Sequence, residues 1–124
     1  MTLLYKTNDL DDIVERLLAE IGVPAHLLGY DFLVEAVART ARAPIISTVP
    51  TVPLYVEVAA ACDSTKVRVE RGIRHAVTWV FDNVDWDAID AMFGNSVSKD
   101  KGAPTNHHFI ATLAREARRR AKEV

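Results

Sequence analysis

The stretch Ser64-Thr-Lys-Val-Arg-Val-Glu-Arg-Gly-Ile-Arg-His-Ala76 concentrates the side chains of this chain that could do chemistry. Arg68, Arg71 and Arg74 recur at helical spacing, with Lys66, Glu70 and His75 among them. An arginine can donate two parallel hydrogen bonds to O6 and N7 of guanine in the DNA major groove, and a glutamate can accept from cytosine N4. On a helix, Val69, Ile73, Ala76, Val77 and Val80 share one apolar stripe. Val67, Arg71, Arg74 and Thr78 lie near the centre of the opposite face, with Arg68 and His75 on one flank and Glu70 on the other. The same periodicity describes a solvated charged face on an ordinary amphipathic helix. Spacing alone leaves both readings open.

Other chemistries find little support. His107 and His108 are adjacent, so on a helix they point about 100° apart and do not chelate one ion together. His26 and His75 fall on different predicted elements, and a zinc site needs three or four converging ligands. Asp82, Asp85, Asp87 and Asp90 surround Trp86 at a predicted helix start, where negative charge suits the dipole. No nucleophile elbow, phosphate loop or zinc-protease motif is present. The sequence implies no catalytic residue, no metal and no cofactor.

A length of 124 residues suits one domain, residues 1–124, with a substantial core. Residues 1–8 and 119–124 are expected to be loosely ordered. The formal net charge of −2 hides a gradient. The first 63 residues carry four basic and nine acidic side chains, the remainder eleven basic and eight acidic. Screening acts over roughly 8–10 Å at physiological salt, so a local basic surface still attracts phosphate. The single cysteine, Cys62, allows no internal disulfide, fits a reducing cytoplasm, and reads as a small apolar residue. No segment approaches the roughly 20 apolar residues of a membrane span, and no secretory signal is visible.

The elements that must position the basic helix are helical throughout. The apolar spacing predicts a first helix through Leu10 to Ile21, capped by Asn8 or Asp9 and stopped by Gly22. A second helix is predicted at about 29–41 and a third at about 53–61, with Pro53 in its first turn. Ser64 is the expected cap of a fourth helix that runs to about Phe81. A short helix at about 85–93 ends at Gly94, and a last one, capped by Thr105 or Asn106, turns Phe109, Ile110, Leu113, Ala114 and Ala117 inward. The expected fold class is all-α, a compact bundle of about six helices. The third and fourth, joined by a tight turn, form a helix-turn-helix. Arg115, Arg118, Arg119 and Lys122 are read as a solvated helix end, with contact to DNA phosphate or a neighbouring subunit as the alternative. Trp79 and Trp86 are read as packing residues.

Four segments carry a more specific signal: Ile21-Gly-Val-Pro-Ala-His-Leu27 with Gly29-Tyr30, Val69-Glu-Arg-Gly-Ile-Arg-His-Ala76, Met92-Phe-Gly94, and Pro104-Thr-Asn106 with Phe109-Ile-Ala111. In this order and spacing, across about residues 10–118, they resemble the C-terminal effector domain of the stage-zero sporulation protein A family, the master response regulators of endospore formation. The resemblance implies an all-helical DNA-binding domain that binds short boxes, often as head-to-tail pairs, and activates or represses transcription. It implies Glu70, Arg71 and Arg74 as base readers, in agreement with the helix-face argument. The family's regulator carries a receiver domain, for which about nine residues before the first predicted helix leave no room, so the phosphorelay switch is not carried over. Thr48 to Pro53 differs from the family's usual approach to the bracing helix. Gly72 stands for a usual Ala, at roughly 1 kcal/mol of local helix stability. Val67 stands for a small polar residue and Ala103 for a basic one.

The sequence thus leads to a cytoplasmic, nucleoid-associated, sequence-specific DNA-binding regulator without enzymatic chemistry. Glu70, Arg71 and Arg74 are expected to read bases, and Ser64, Lys66, Arg68, His75 and Lys101 to hold the DNA backbone. Double-stranded DNA is the expected partner, with a second copy on tandem boxes and RNA polymerase as further candidates, and no membrane. The alternative is a receiver-less interaction module that pairs with a full-length regulator or polymerase and binds DNA weakly.

Overall fold

The computed structural model describes residues 7–43, 51–83, 86–94 and 102–122. Their order is α1 (Thr7–Ile21), α2 (Tyr30–Arg42), α3 (Thr51–Ala61), α4 (Lys66–Asn83), α5 (Trp86–Phe93) and α6 (Asn106–Lys122). Over the described residues the fold is an all-α bundle of six helices. The apolar periodicity that forms each helix also selects its buried face. Val14, Leu17 and Leu18 of α1, Leu33 and Val37 of α2, Ile73 and Val77 of α4, and Phe109 and Leu113 of α6 have no exposed surface. Burying each such side chain contributes about 1.5–3 kcal/mol.

α6 packs along α1 and α2 and also touches α4 and α5, while α3 braces α4. Phe81, Phe93 and Phe109 close one end of the core, with Trp86 edge-on to Phe81 at 5.7 Å between ring centroids. Trp79 is half-buried against the same core, so both tryptophans are packing residues.

Helix boundaries shift from the sequence reading where local chemistry decides them. α1 begins at Thr7, so Asn8 and Asp9 lie inside its first turn rather than at a cap. It ends as expected: Gly22 takes φ 99°, and Val23 N–H donates to Leu18 O at 2.9 Å. α3 starts at Thr51, which still leaves Pro53 in the first turn, where its missing N–H has no intrahelical partner.

The cap of α4 is Thr65, not Ser64. Thr65 Oγ1 accepts from Arg68 N–H at 3.2 Å, and Thr65 O accepts from Val69 N–H at 2.9 Å. Ser64 instead closes α3: its N–H donates to Ala59 O at 2.8 Å, with Asp63 left-handed at φ 53°. The two terminations share the four-residue turn from Cys62 to Thr65. Thr65 and Thr105 play matching roles, since Thr105 Oγ1 accepts from His108 N–H at 3.1 Å to cap α6.

The basic end of α6 is not simply a solvated face. Arg118 reaches across to donate to Thr40 O at 3.1 Å, a second donor to a carbonyl near the end of α2 that also accepts from Ala43 N–H. Arg120 grips Glu20 of α1 with two hydrogen bonds of 2.7 and 2.8 Å and also pairs with Glu116. The helix therefore continues to Lys122, through residues where the sequence suggests a loose end. Hydrogen bonds from Arg119 and then Arg120, all within α6, hold the Glu116 carboxyl down at about 2, and the Arg120 bond keeps Glu20 below the ordinary carboxylate range.

Candidate nucleic-acid interface

The helix-turn-helix is formed by α3, the turn 62–65 and α4. Burial along α4 follows the wheel: Val69, Ile73, Ala76, Val77 and Val80 are fully buried. Lys66, Val67, Arg68, Glu70, Arg71, His75 and Thr78 are exposed, and Arg74 is half-buried. Val67 keeps 53% of its surface exposed at the start of this face. Lys101 lies outside the described residues.

Glu70, Arg71, Arg74, His75 and Thr78 line a shallow concavity completed by Asn106 at the start of α6. Lys66 and His107 border its continuation toward Tyr55 and Thr105. The predicted base readers therefore share one surface, with Lys66 and His75 at its margins. Arg68 and Ser64 do not line it.

The state of the arginines separates this surface from the rest of the molecule. Arg39 pairs with Glu35 and Glu57, Arg42 with Asp11, and Arg119 and Arg120 with Glu116. Among the described residues, Arg68 and Arg71 have no hydrogen-bond or ion-pair partner within the protein through their side chains. Arg16 is also unpaired, alone on α1, and so are Arg115 and Lys122, seven residues apart on α6, whereas Lys66, Arg68 and Arg71 lie within six residues of one another. α4 is where unengaged cations cluster. Arg74 makes one hydrogen bond among the described residues, from Nε–H to Thr78 Oγ1 at 3.3 Å.

Two supports beneath the surface escaped the sequence reading. Asn106 was visible only as a possible cap, yet it is buried. Its Nδ2 donates to Tyr55 Oη at 3.1 Å and to Glu70 O at 3.4 Å, tying α6 to both helices of the motif. Burial pushes the Tyr55 hydroxyl above its ordinary range against the opposing pull of the Asn106 bond, so it stays a neutral phenol at physiological pH. The second support is glycine on glycine. Gly29, left-handed at φ 95°, seats the start of α2 against Gly72 of α4. A Cβ on Gly29 would overlap the Gly72 carbonyl, and one on Gly72 would lie 2.8 Å from the Phe32 ring. The missing side chain of Gly72 thus permits a close contact, besides its cost to the helix. Adjacent matching motifs, Gly29-Tyr30 and Arg71-Gly-Ile73, were the only available signal.

A family model described as Sporulation initiation factor Spo0A C terminal matches residues 14–117, from within α1 to within α6. The chain belongs to this family. The Spo0A C-terminal family consists of non-enzymatic transcription effector domains, and this chain is a DNA-binding regulatory domain of that kind. The interface residues described above all fall inside the matched span. Among the described residues, no three His, Cys, Asp or Glu side chains gather as a metal site, and no helix is long and apolar enough to cross a membrane. Cys62 is half-buried, and burial raises its thiol above the ordinary range, away from a reactive thiolate.

Proposed function

We propose that this domain recognises specific DNA sequences by laying α4 in the major groove, with Glu70, Arg71 and Arg74 meeting base edges. The observation that carries this reading is the cluster of unengaged cationic side chains on α4, in a protein whose other arginines are mostly paired. Desolvating a guanidinium already held by a carboxylate would cost that pairing, whereas Arg68 and Arg71 lose only water. Lys66, Arg68 and His75 border the readers and are suited to phosphate, as is the first turn of α4 with Ser64 before it. Lys101 belongs to the same backbone-holding group on sequence grounds alone.

A cytoplasmic, nucleoid-associated regulator that pairs on tandem boxes and meets RNA polymerase is the wider form of this reading. The test is selection of a preferred box from a random duplex pool, followed by titration of the box and a scrambled control at two salt concentrations. A preferred sequence bound at least a hundredfold tighter than the control supports base reading. Weak binding without preference would favour the alternative, an interaction module for a full-length regulator or polymerase.

A further inference from the structure

We propose that Thr78 is a positioning residue that holds Arg74 away from Glu70, so that the two side chains act as separate readers rather than neutralising each other. The proposal rests on the base-reading assignment above and adds a residue with no role in it.

Glu70 and Arg74 are one turn apart, with the acid N-terminal, the order that favours an ion pair along a helix. The described residues hold three other acid-first arginine pairs at this spacing, of which Asp12 and Arg16 of α1, both exposed, do not meet and the other two do. Glu35 and Arg39 in α2 meet at 2.7 Å, and Glu116 and Arg120 in α6 at 3.0 Å. Among the described residues Glu70 and Arg74 form no ion pair, although both line the same concavity. Arg74 has a competing acceptor one turn further on that the two meeting pairs lack. Arg74 has a hydroxyl at that position, Thr78, and its Nε–H donates there at 3.3 Å. Arg39 has Ala43 at the same offset and Arg120 has Val124, neither of which can accept.

Two consequences follow for recognition. The Glu70 carboxylate has no cationic partner among the described residues and can accept from cytosine N4. With Nε engaged, Arg74 presents Nη1 and Nη2, the end-on fork that matches guanine O6 and N7. Thr78 thereby turns a pair that would cancel into one donor and one acceptor. Thr78 is exposed, so the core does not account for it.

The test compares Thr78→Val, Thr78→Ser, Arg74→Ala and the Thr78→Val/Arg74→Ala double variant on three duplexes: the selected box, the box with the guanine facing Arg74 replaced, and scrambled DNA. Threonine and valine are near-isosteric and similar in helix preference, and circular dichroism checks folding. Thr78→Val is expected to weaken the selected box about three- to tenfold, the worth of one hydrogen bond to a charged group at a solvated site. Scrambled DNA should be bound as before, and Thr78→Ser should behave like the parent. In the Arg74→Ala background, Thr78→Val should cost nothing further, since the cycle isolates the pair. Equal loss on box and scrambled DNA, no loss at all, or a loss that persists without Arg74 overturns the proposal. If Arg74→Ala abolishes discrimination while Thr78→Val does not, only the positioning role fails. Should Arg74→Ala leave discrimination intact, base reading by Arg74 fails and the proposal with it.

Discussion

At the scale of residues, exposure and freedom from internal partners divide the cations of this domain into structural and available ones. Arg71 is exposed and unpaired, and Arg74 is half-buried with its guanidinium aimed along the same face. Replacing either with Ala should cost about 1–3 kcal/mol on a selected box and much less on scrambled DNA, because a bidentate base contact is sequence-dependent. Lys66→Ala should weaken both duplexes alike and make the salt slope shallower by about one unit. Parallel fluorescence-anisotropy titrations separate the two kinds of loss. Equal losses for the arginine variants on both duplexes would reduce them to phosphate clamps. This division was legible in part. The apolar stripe of α4 fixes which side faces outward, so the outward placement of Glu70, Arg71 and Arg74 followed from spacing, while their proposed role as base readers came from the family resemblance. The choice of Thr65 over Ser64 as cap was not legible, because adjacent hydroxyl residues differ only in the backbone geometry of the turn. Asn106 was hidden for a related reason: nothing local distinguishes a capping asparagine from one buried beneath a neighbouring helix.

At the scale of elements, each helix was visible in its periodicity, while the contacts that set their relative heights were not. The approach of α2 to α4 depends on Gly29 and Gly72, which are distant in sequence and leave no hydrophobic pattern. Gly29→Ala should destabilise the domain by roughly 3 kcal/mol, combining a left-handed residue that disfavours a side chain with overlap onto a backbone carbonyl that cannot rotate away. Urea unfolding followed by circular dichroism measures this, and a change below about 1 kcal/mol would mean the contact yields easily. α6 shows the same limit of sequence reading. Its basic end has the composition of a solvated terminus, yet Arg118 and Arg120 clamp it to α2 and α1. Partners on other helices, not local composition, decide that outcome.

At the scale of the whole molecule, a formal charge of −2 coexists with a cluster of cations on α4, and the two make different demands on solution conditions. If about four to six phosphates are neutralised, the logarithm of the affinity should fall with that of the salt concentration at a slope of about −4 to −5. Without DNA the domain should sediment near its chain mass of 13.7 kDa and pair only on tandem boxes; a tight DNA-free dimer at micromolar concentration would contradict this. Acid should act elsewhere, on the ion pairs of Glu116 with Arg119 and Arg120 within α6 and on the Arg120–Glu20 clamp between α6 and α1. Glu116 sits at about 2 in the folded protein against an ordinary value of 4.5, and Glu20 is also lowered. The folded state therefore binds these protons less readily than the unfolded one. The contribution of these pairs is fully present above about pH 4.5 and is lost as pH falls toward 2, mainly through Glu116. Urea midpoints measured across this window should decline, and Glu116→Gln should flatten the decline. An unchanged slope in that variant would place the acid sensitivity in other carboxylates.

The contact between Gly29 and Gly72 also bears on how new binding preferences could be built into this scaffold. A reading helix is usually treated as a cassette, exchanged whole while the frame stays fixed. Here the frame touches the cassette through a position that has no side chain, and Phe32 stands 2.8 Å from where one would begin. A transplanted helix with alanine at that position would be lifted or tilted by its own methyl group unless residue 32 were trimmed with it. Redesign of specificity in this domain is therefore a two-helix problem, in which the outward letters can be rewritten freely only while the hidden glycine is kept.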